Sequence, residues 1–339
     1  MSNYVNLTPL NIETKNRVVF YSDKDSIIYR EKSSIVLESC KGEIKGDIPC
    51  PSEFRNYETL DLGDAVLLVL GGTTVVIFYK DGYQPIKYTI DPHKVGRVVS
   101  KLFRSKNENA VIFCTLLNNK MQIIIYDFMG QKKISQSSSW KFFNLTSMCM
   151  DDKQICCLFD SSFIVGCDIE TCETLWTRFE AAPISQDLVL HDGSLIYTCD
   201  GALRKHTKID DKPAQIENIS IPSRKISRIL DKIDKYLILM SNNNYDLLLF
   251  DLSDKTVKWE LVGNEFIFNG ITVLGKIGKE IINAVVLHIK GHISIVNLDA
   301  GRAMYNNRSN NVYKIRQSGD HIVINKKNYE TDIIIMENN

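Results

Sequence analysis

The chain has 339 residues, of which 44% are hydrophobic and 24% charged, a composition that can bury a large core and contains no low-complexity or disordered tract. Lysine plus arginine equals aspartate plus glutamate at 41 each, so no global field draws nucleic acid or an anionic membrane, and a charged partner has to be read by a local patch. The opening MSNYVNLTPLNIETKN lacks the basic start and apolar run of a secretory signal, so the expected location is cytoplasmic or nuclear, with the nine cysteines as thiols.

After an N-terminal segment, YVNLTPLNI at residues 4 to 12, eight short apolar runs follow in order. They are SIIY from Ser26, VLLV from Val66, VIFC from Val111, ICCL from Ile155, LIYT from Leu195, YLIL from Tyr236, AVVL from Ala284 and HIVI from His321. Bounded by Gly, Asp, Asn, Ser and Lys, they read as buried strands. The longest apolar stretch, Ala65 to Tyr79, is split by Gly71, Gly72, Thr73 and Thr74; it reads as two strands and a turn and is too short to span a bilayer. Each run is followed by a second β-rich run closing near Ser39, Lys80, Asp127, Asp168, Lys208, Asp251, Asn297 or Glu337. Successive closing positions are 41, 47, 41, 40, 43, 46 and 40 residues apart, the period of propeller blades.

The expected fold is therefore all-β: a single closed β-propeller over residues 1–339, with about eight four-stranded blades, in which the first runs are second strands and the punctuated runs third strands. An Asp or Asn at the close of a third strand suits a tight turn, because its side chain bonds the backbone two residues on. The final unit stops after its third strand, and residues 4–12 are expected to complete it, closing the ring and removing an open edge. Trp176 and Trp259 stand eight residues past Asp168 and Asp251, as Tyr305 does past Asn297, so each ring is expected to cover the seam to the next blade. The nearest approach to helical spacing is Lys94 to Phe103.

Residues 169–201, IETCETLWTRFEAAPISQDLVLHDGSLIYTCDG, resemble the repeat of the quinoprotein-like eight-bladed propellers: an Asp turn, then Trp176, Ala182, Pro183, Gly193 and Gly201 in that scheme. DLSDKTVKWELV echoes its first half, so the motif detail covers about two of the eight units. WD-repeat propellers are the other relatives, but their Gly-His and Trp-Asp pairs are absent at regular positions; the one Gly-His, Gly291-His292, falls between second and third strands. The resemblance implies the propeller architecture. Quinoprotein dehydrogenases of this superfamily use a vicinal cysteine pair beside their cofactor, and Cys156-Cys157 is such a pair in sequence, but its place in ICCLF reads as a core strand facing two adjoining sheets.

No C-x-x-C, P-loop, G-x-S-x-G or G-x-G-x-x-G occurs, and the six histidines lack metal spacing, so neither enzyme, cofactor nor metal is expected. Scattered histidines of this kind are expected at turns or on the surface. The most concentrated charge is PHKVGRVVSKLFRSKN from Pro92 to Asn107, an expected blade-to-blade connection carrying Lys94, Arg97, Lys101, Arg104 and Lys106 with no acid. A smaller basic cluster is Arg224, Lys225 and Arg228, and Trp140 lies off the repeat position as a candidate interface anchor in a loop. The function these features favour is a non-catalytic protein-interaction scaffold or adaptor subunit with one or more protein partners and no membrane insertion. The alternative is binding of nucleic acid or a phosphorylated partner through residues 92–107, and the third reading is a cofactor-dependent enzyme.

Overall fold

A computed structural model describes residues 8–10, 18–50, 57–71, 74–89, 98–104, 109–117, 120–127, 132–185, 187–209, 212–221, 224–241, 246–261, 271–277, 280–289, 292–297, 302–308, 312–318, 321–326 and 331–335. Every regular element among them is a β-strand, every pairing described is antiparallel, and the strands form eight four-stranded sheets. The first strand, β1 (Thr8–Leu10), belongs to the last of these. Sheet 1 is β2 (Val18–Ser22), β3 (Ser26–Glu31), β4 (Ser34–Ser39) and β5 (Ile44–Pro49). Sheet 2 is β6 (Tyr57–Asp61), β7 (Ala65–Leu70), β8 (Thr74–Tyr79) and β9 (Ile86–Thr89). Sheet 3 follows with β10 (Val98–Arg104), β11 (Asn109–Leu117), β12 (Lys120–Asp127) and β13 (Lys132–Lys141). Sheet 4 holds β14 (Leu145–Met150), β15 (Gln154–Phe159), β16 (Phe163–Asp168) and β17 (Thr174–Phe179). In sheet 5 the strands are β18 (Val189–His191), β19 (Ser194–Cys199), β20 (Ala202–Ile209) and β21 (Lys212–Ile219). Sheet 6 has β22 (Ile226–Ile233), β23 (Tyr236–Ser241), β24 (Leu247–Asp251) and β25 (Thr256–Leu261). Sheet 7 is made of β26 (Ile271–Ile277), β27 (Glu280–Ile289), β28 (His292–Asn297) and β29 (Arg302–Arg308). Sheet 8 consists of β30 (Val312–Ser318), β31 (His321–Lys326) and β32 (Thr331–Ile335), completed by β1.

All eight apolar runs fall in second strands. The third strands β4, β12, β16, β24 and β28 end at Ser39, Asp127, Asp168, Asp251 and Asn297, whereas Lys80 directly follows β8 and Lys208 is the next-to-last residue of β20. Glu337 lies outside the described residues. The physical reason for the pattern is burial on both sides. β7, β15, β19 and β24 are buried at every position, so alternation of apolar and polar residues is suppressed. The fourth strands β5 and β17 instead hold only exposed and half-buried residues, as edge strands do.

The chain divides into two compact units, residues 1–68, 76–86 and 258–339, and residues 69–75 and 87–257. In the first unit sheet 8 lies beside sheet 1: β1 pairs with β32 through Thr8–Ile335, Pro9–Ile334 and Leu10–Ile333, and β2 touches β31. Val19, Tyr29, Val36, Val323 and Ile333 pack together across that junction. Polar bonds reinforce it. The Ser22 N–H donates to Ser318 Oγ at 2.8 Å, Ser22 Oγ and His321 Nδ1 are 2.8 Å apart, and Asn325 Nδ2 donates to the Val19 carbonyl at 3.1 Å. Of the segment expected to complete the last sheet, residues 4–7 and 11–12 lie outside the described residues.

In the second unit the core is a series of seams between neighbouring sheets. Cys157, Phe159, Val165 and Cys167 pack against Met121 and Phe142 between sheets 3 and 4. Cys156, Leu158 and Ile164 pack against Leu195 and Tyr197 between sheets 4 and 5. Ile196 and Leu203 meet Leu237, Leu239 and Phe250 between sheets 5 and 6. Fully burying each such side chain is worth ~1.5–3 kcal/mol, and two-sided sheets let one strand serve two seams.

Tight turns are set by aspartates. Asp168 Oδ1 accepts from the N–H groups of Glu170 and Thr171 at 2.9 and 2.8 Å, and Asp251 Oδ1 accepts from Ser253 at 2.8 Å, as expected for closers of third strands. A second set closes the first strands: Asp23 holds the N–H groups of Asp25 and Ser26, Asp61 that of Gly63, and Asp151 those of Lys153 and Gln154. Two expectations are corrected. Residues 98–104 of the basic stretch are neither connection nor helix but the first strand of sheet 3, fully registered with β11. Trp140 lies within the fourth strand β13, not in a loop.

Candidate functional site

The sequence singled out five basic residues. Lys101 and Arg104 lie on β10, paired with Ile112 and Asn109 of β11. Lys94, Arg97 and Lys106 lie outside the described residues. The smaller cluster is largely neutralised: Arg224 pairs with the buried Asp246 at 2.9 Å, and Arg228 forms a two-pronged pair with Asp187 at 2.8 and 2.9 Å.

A different place collects exposed apolar surface, at the end of sheet 4 where β15 turns into β16. Asp160 and Ser161 make that turn with φ of 50° and 56°. Asp160 then reaches back to the link between β13 and β14, where its carboxylate accepts from Phe143 N–H at 3.2 Å and Asn144 N–H at 2.7 Å. Phe142 is thereby turned inward, stacked on Phe159 at 4.0 Å and tilted against Phe163 at 5.3 Å, and Phe143 is turned outward with 85% of its surface exposed. Phe179 stands opposite Phe163 at the end of β17 and is 62% exposed. Pro183 and Ala181 follow it on the exposed link to sheet 5, tied down by Ile184 N–H donating to the Ser161 carbonyl at 2.7 Å. The fold thus presents two large rings beside one rigid turn.

Behind this rim lies a charged cluster between sheets 4 and 5. Glu180, with a side chain only 4% exposed, accepts from Tyr197 Oη at 2.5 Å, from Arg178 Nε at 3.1 Å and from Arg204 Nη1. Burial alone raises its carboxyl, but the Tyr197, Arg178 and Arg204 hydrogen bonds outweigh that and hold it below the ordinary carboxylate range. Burial and the neighbouring Glu180 push the Tyr197 hydroxyl up. Tyr197 and Arg204 stand 17 and 24 positions beyond Glu180 in sequence, and no local motif announces the cluster.

Trp176 covers the same seam as expected. Its indole lies over Gly166, its Nε1 donates to Gln154 Oε1 at 3.2 Å, and its ring contacts His206 of sheet 5 at 4.4 Å. Gln154 Nε2 in turn donates to the Gly193 carbonyl of sheet 5 at 2.9 Å. His206 and His321 are buried in strands, against the expectation of turn or surface histidines. Cys156 faces the seam with sheet 5 and Cys157 that with sheet 3, as the alternation of a two-sided strand requires. Burial pushes the thiols of Cys156, Cys167 and Cys199 up, and that of Cys172 up to about 12. Among the described residues no three His, Cys, Asp or Glu side chains are grouped to hold a metal ion, and no helix is long and apolar enough to cross a membrane.

Known structures define the class to which this arrangement belongs, a β-propeller. The chain is similar to BamB from Moraxella catarrhalis, at 12% identity and a TM-score of 0.58 over 98% of this chain and 99% of that one. It is also similar to Saccharomyces cerevisiae Sqt1, at 12% identity and 0.63 over the whole of both chains. The third is BBS1N, solved in complex with ARL6DN, at 12% identity and 0.58 over 84% of this chain and 93% of that one. At such identities the likeness is one of fold. No protein-family model and no curated protein matches the sequence.

Proposed function

We propose that the chain is a non-catalytic protein-interaction scaffold or adaptor subunit, built as a closed ring of eight quinoprotein-like or WD-repeat-like blades and acting in the cytoplasm or nucleus. The observation that carries this reading is the pair Phe143 and Phe179, exposed at one end of sheet 4 beside the turn at Asp160. Large rings held by a hydrogen-bonded link and a strand end bind with little loss of conformational freedom, and aromatic residues dominate interface energetics. One comparison and one structural observation are consistent with it: BBS1N, similar in fold, was solved in complex with ARL6DN, and the described strands form eight four-stranded sheets with β1 paired to β32, as a closed eight-bladed ring would need.

The test is capture of partners on the immobilised full-length protein and on a Phe143→Ser/Phe179→Ser variant, at low and at high salt. The scaffold reading expects a defined protein retained at high salt by the wild type and lost from the variant. Retention of nucleic acid or phosphoprotein only at low salt, unchanged in the variant, overturns it in favour of the basic stretch at residues 92–107.

A further inference from the structure

Sheet 4 holds a second feature that its packing does not require. Cys149 of β14 and Cys156 of β15 stand directly opposite each other, and Cys149 packs against the buried cluster that holds Cys156. Directly paired residues of antiparallel strands hold their Cα atoms ~4.5–5.5 Å apart, inside the ~4.4–6.8 Å span that a disulfide bridges. The connecting hairpin is tight. Asp151 N–H donates to the Gln154 carbonyl at 3.1 Å, and the Asp151 carboxylate holds the N–H groups of Lys153 and Gln154 at 2.9 Å each. The two cysteines are therefore kept opposite each other by local structure.

Access separates Cys149 from the buried cysteines, its partner Cys156 included. Cys149 is partly exposed, whereas Cys157, Cys167 and Cys172 are buried in the seam with sheet 3, and Cys199 is buried in β19. Cys40 is exposed but sits in the turn after β4, opposite no cysteine. We propose that Cys149 and Cys156 form a redox-active dithiol that closes to a disulfide within sheet 4 when the protein meets a low-molecular-weight disulfide.

The exchange balances in two steps. Cys149 loses its proton and attacks one sulfur of the small disulfide; a Cys149–sulfur bond forms, the small disulfide bond breaks, and one small thiolate leaves and is protonated. Cys156 then loses its proton and attacks Cys149 Sγ, expelling the second small thiolate, which is protonated in turn. Two protein thiols are oxidised and one small disulfide is reduced to two thiols. Because burial keeps Cys156 protonated, the second step is the slow one, and the mixed disulfide on Cys149 precedes the closed form. Closure also reaches the seam with sheet 5. Cys156 Sγ donates to Gln154 Oε1 at 3.9 Å, the same oxygen that accepts from Trp176 Nε1, so loss of that S–H changes the acceptor that holds the indole.

The experiment exposes the full-length protein to oxidised glutathione in mildly alkaline buffer, blocks the remaining thiols and maps the peptides by mass spectrometry. A transient adduct on Cys149 that gives way to a Cys149–Cys156 link, with loss of both thiols and recovery of both on reduction, is the expected result. Cys156→Ser stops at the adduct and Cys149→Ser yields neither species, while tryptophan emission changes with the link in the wild type. Wild-type protein in which Cys149 remains free, or in which its adduct persists at the plateau with no link, overturns the proposal without reference to any variant.

Discussion

Trp176 lies so close over Gly166, its neighbour across β16 and β17, that a Cβ at position 166 would stand 2.2 Å from the indole Cε2 and 2.4 Å from Nε1. The glycine is there to seat the ring. Gly166→Ala therefore forces the indole off Gln154 and His206 and is expected to destabilise the fold by about 1–3 kcal/mol. A lowered urea midpoint with unchanged slope, together with a shifted tryptophan emission, is the result that supports this account; an unchanged midpoint refutes it.

Lys80 joins sheets 1 and 2 through three partners. Its Nζ donates to Tyr21 Oη at 3.0 Å, Asp23 Oδ2 at 2.9 Å and Asp61 Oδ1 at 3.1 Å, and the single hydroxyl of Tyr21 lies within hydrogen-bond reach of both carboxylates. Burial raises the Asp23 carboxyl, but hydrogen bonds from Lys80, Tyr21 and the Asp25 N–H outweigh it and bring it down to about 2. A carboxyl with a depressed folded value contributes stability that is present above its unfolded value near 4 and is lost as pH falls toward 2. After allowance for solvent screening that contribution is about 1 kcal/mol. Lys80→Met is expected to cost about 1–3 kcal/mol near neutrality and to flatten the acid limb of the stability profile, which urea titrations across that pH window measure.

Asn325 of β31, 2% exposed, bonds three partners: Val19 O at 3.1 Å, Tyr57 Oη at 2.6 Å and Thr331 Oγ1 at 2.6 Å. Asn325→Leu keeps the volume and removes all three bonds, with an expected loss of about 2–4 kcal/mol. Thr331→Val removes only one and is expected to cost about 1 kcal/mol. Equal midpoints for the two variants would show that the junction of sheets 8 and 1 does not depend on this network.

Deletion of residues 1–10 strips β1 from β32 and leaves that strand as an unpaired edge. Faster hydrogen exchange of the Ile333–Ile335 amides as a group, with a concentration-dependent tendency to aggregate, is expected. Exchange at the wild-type rate would mean that the β1 pairing adds nothing in solution.

Much of the fold was legible because its signals are local. A strand buried on both faces needs a continuous apolar run, and an aspartate that bonds the backbone two residues on ends it; ICCL with Asp168 and YLIL with Asp251 show both within one repeat. The repeat also located Trp176 over a seam. The assignment of Val98–Arg104 failed for the same reason in reverse: VVSKLFR is apolar only at scattered positions, and its charge drew attention away from its place as the first strand of sheet 3. Trp140 misled through its polar surroundings, QSSSW, which belong to the fourth strand of sheet 3, at the edge of the sheet.

What the amino-acid order determined by itself was the all-β class, the turn chemistry and the period, since these depend on residues a few positions apart. Only the tertiary structure decided which side chains meet across the seams: Lys80 with Asp23, Glu180 with Arg204, Gly166 beneath Trp176, and Phe143 turned out as Phe142 turned in. Those contacts depend on how one sheet stacks on the next, a relationship set by the summed packing of whole faces and written in no short stretch of chain.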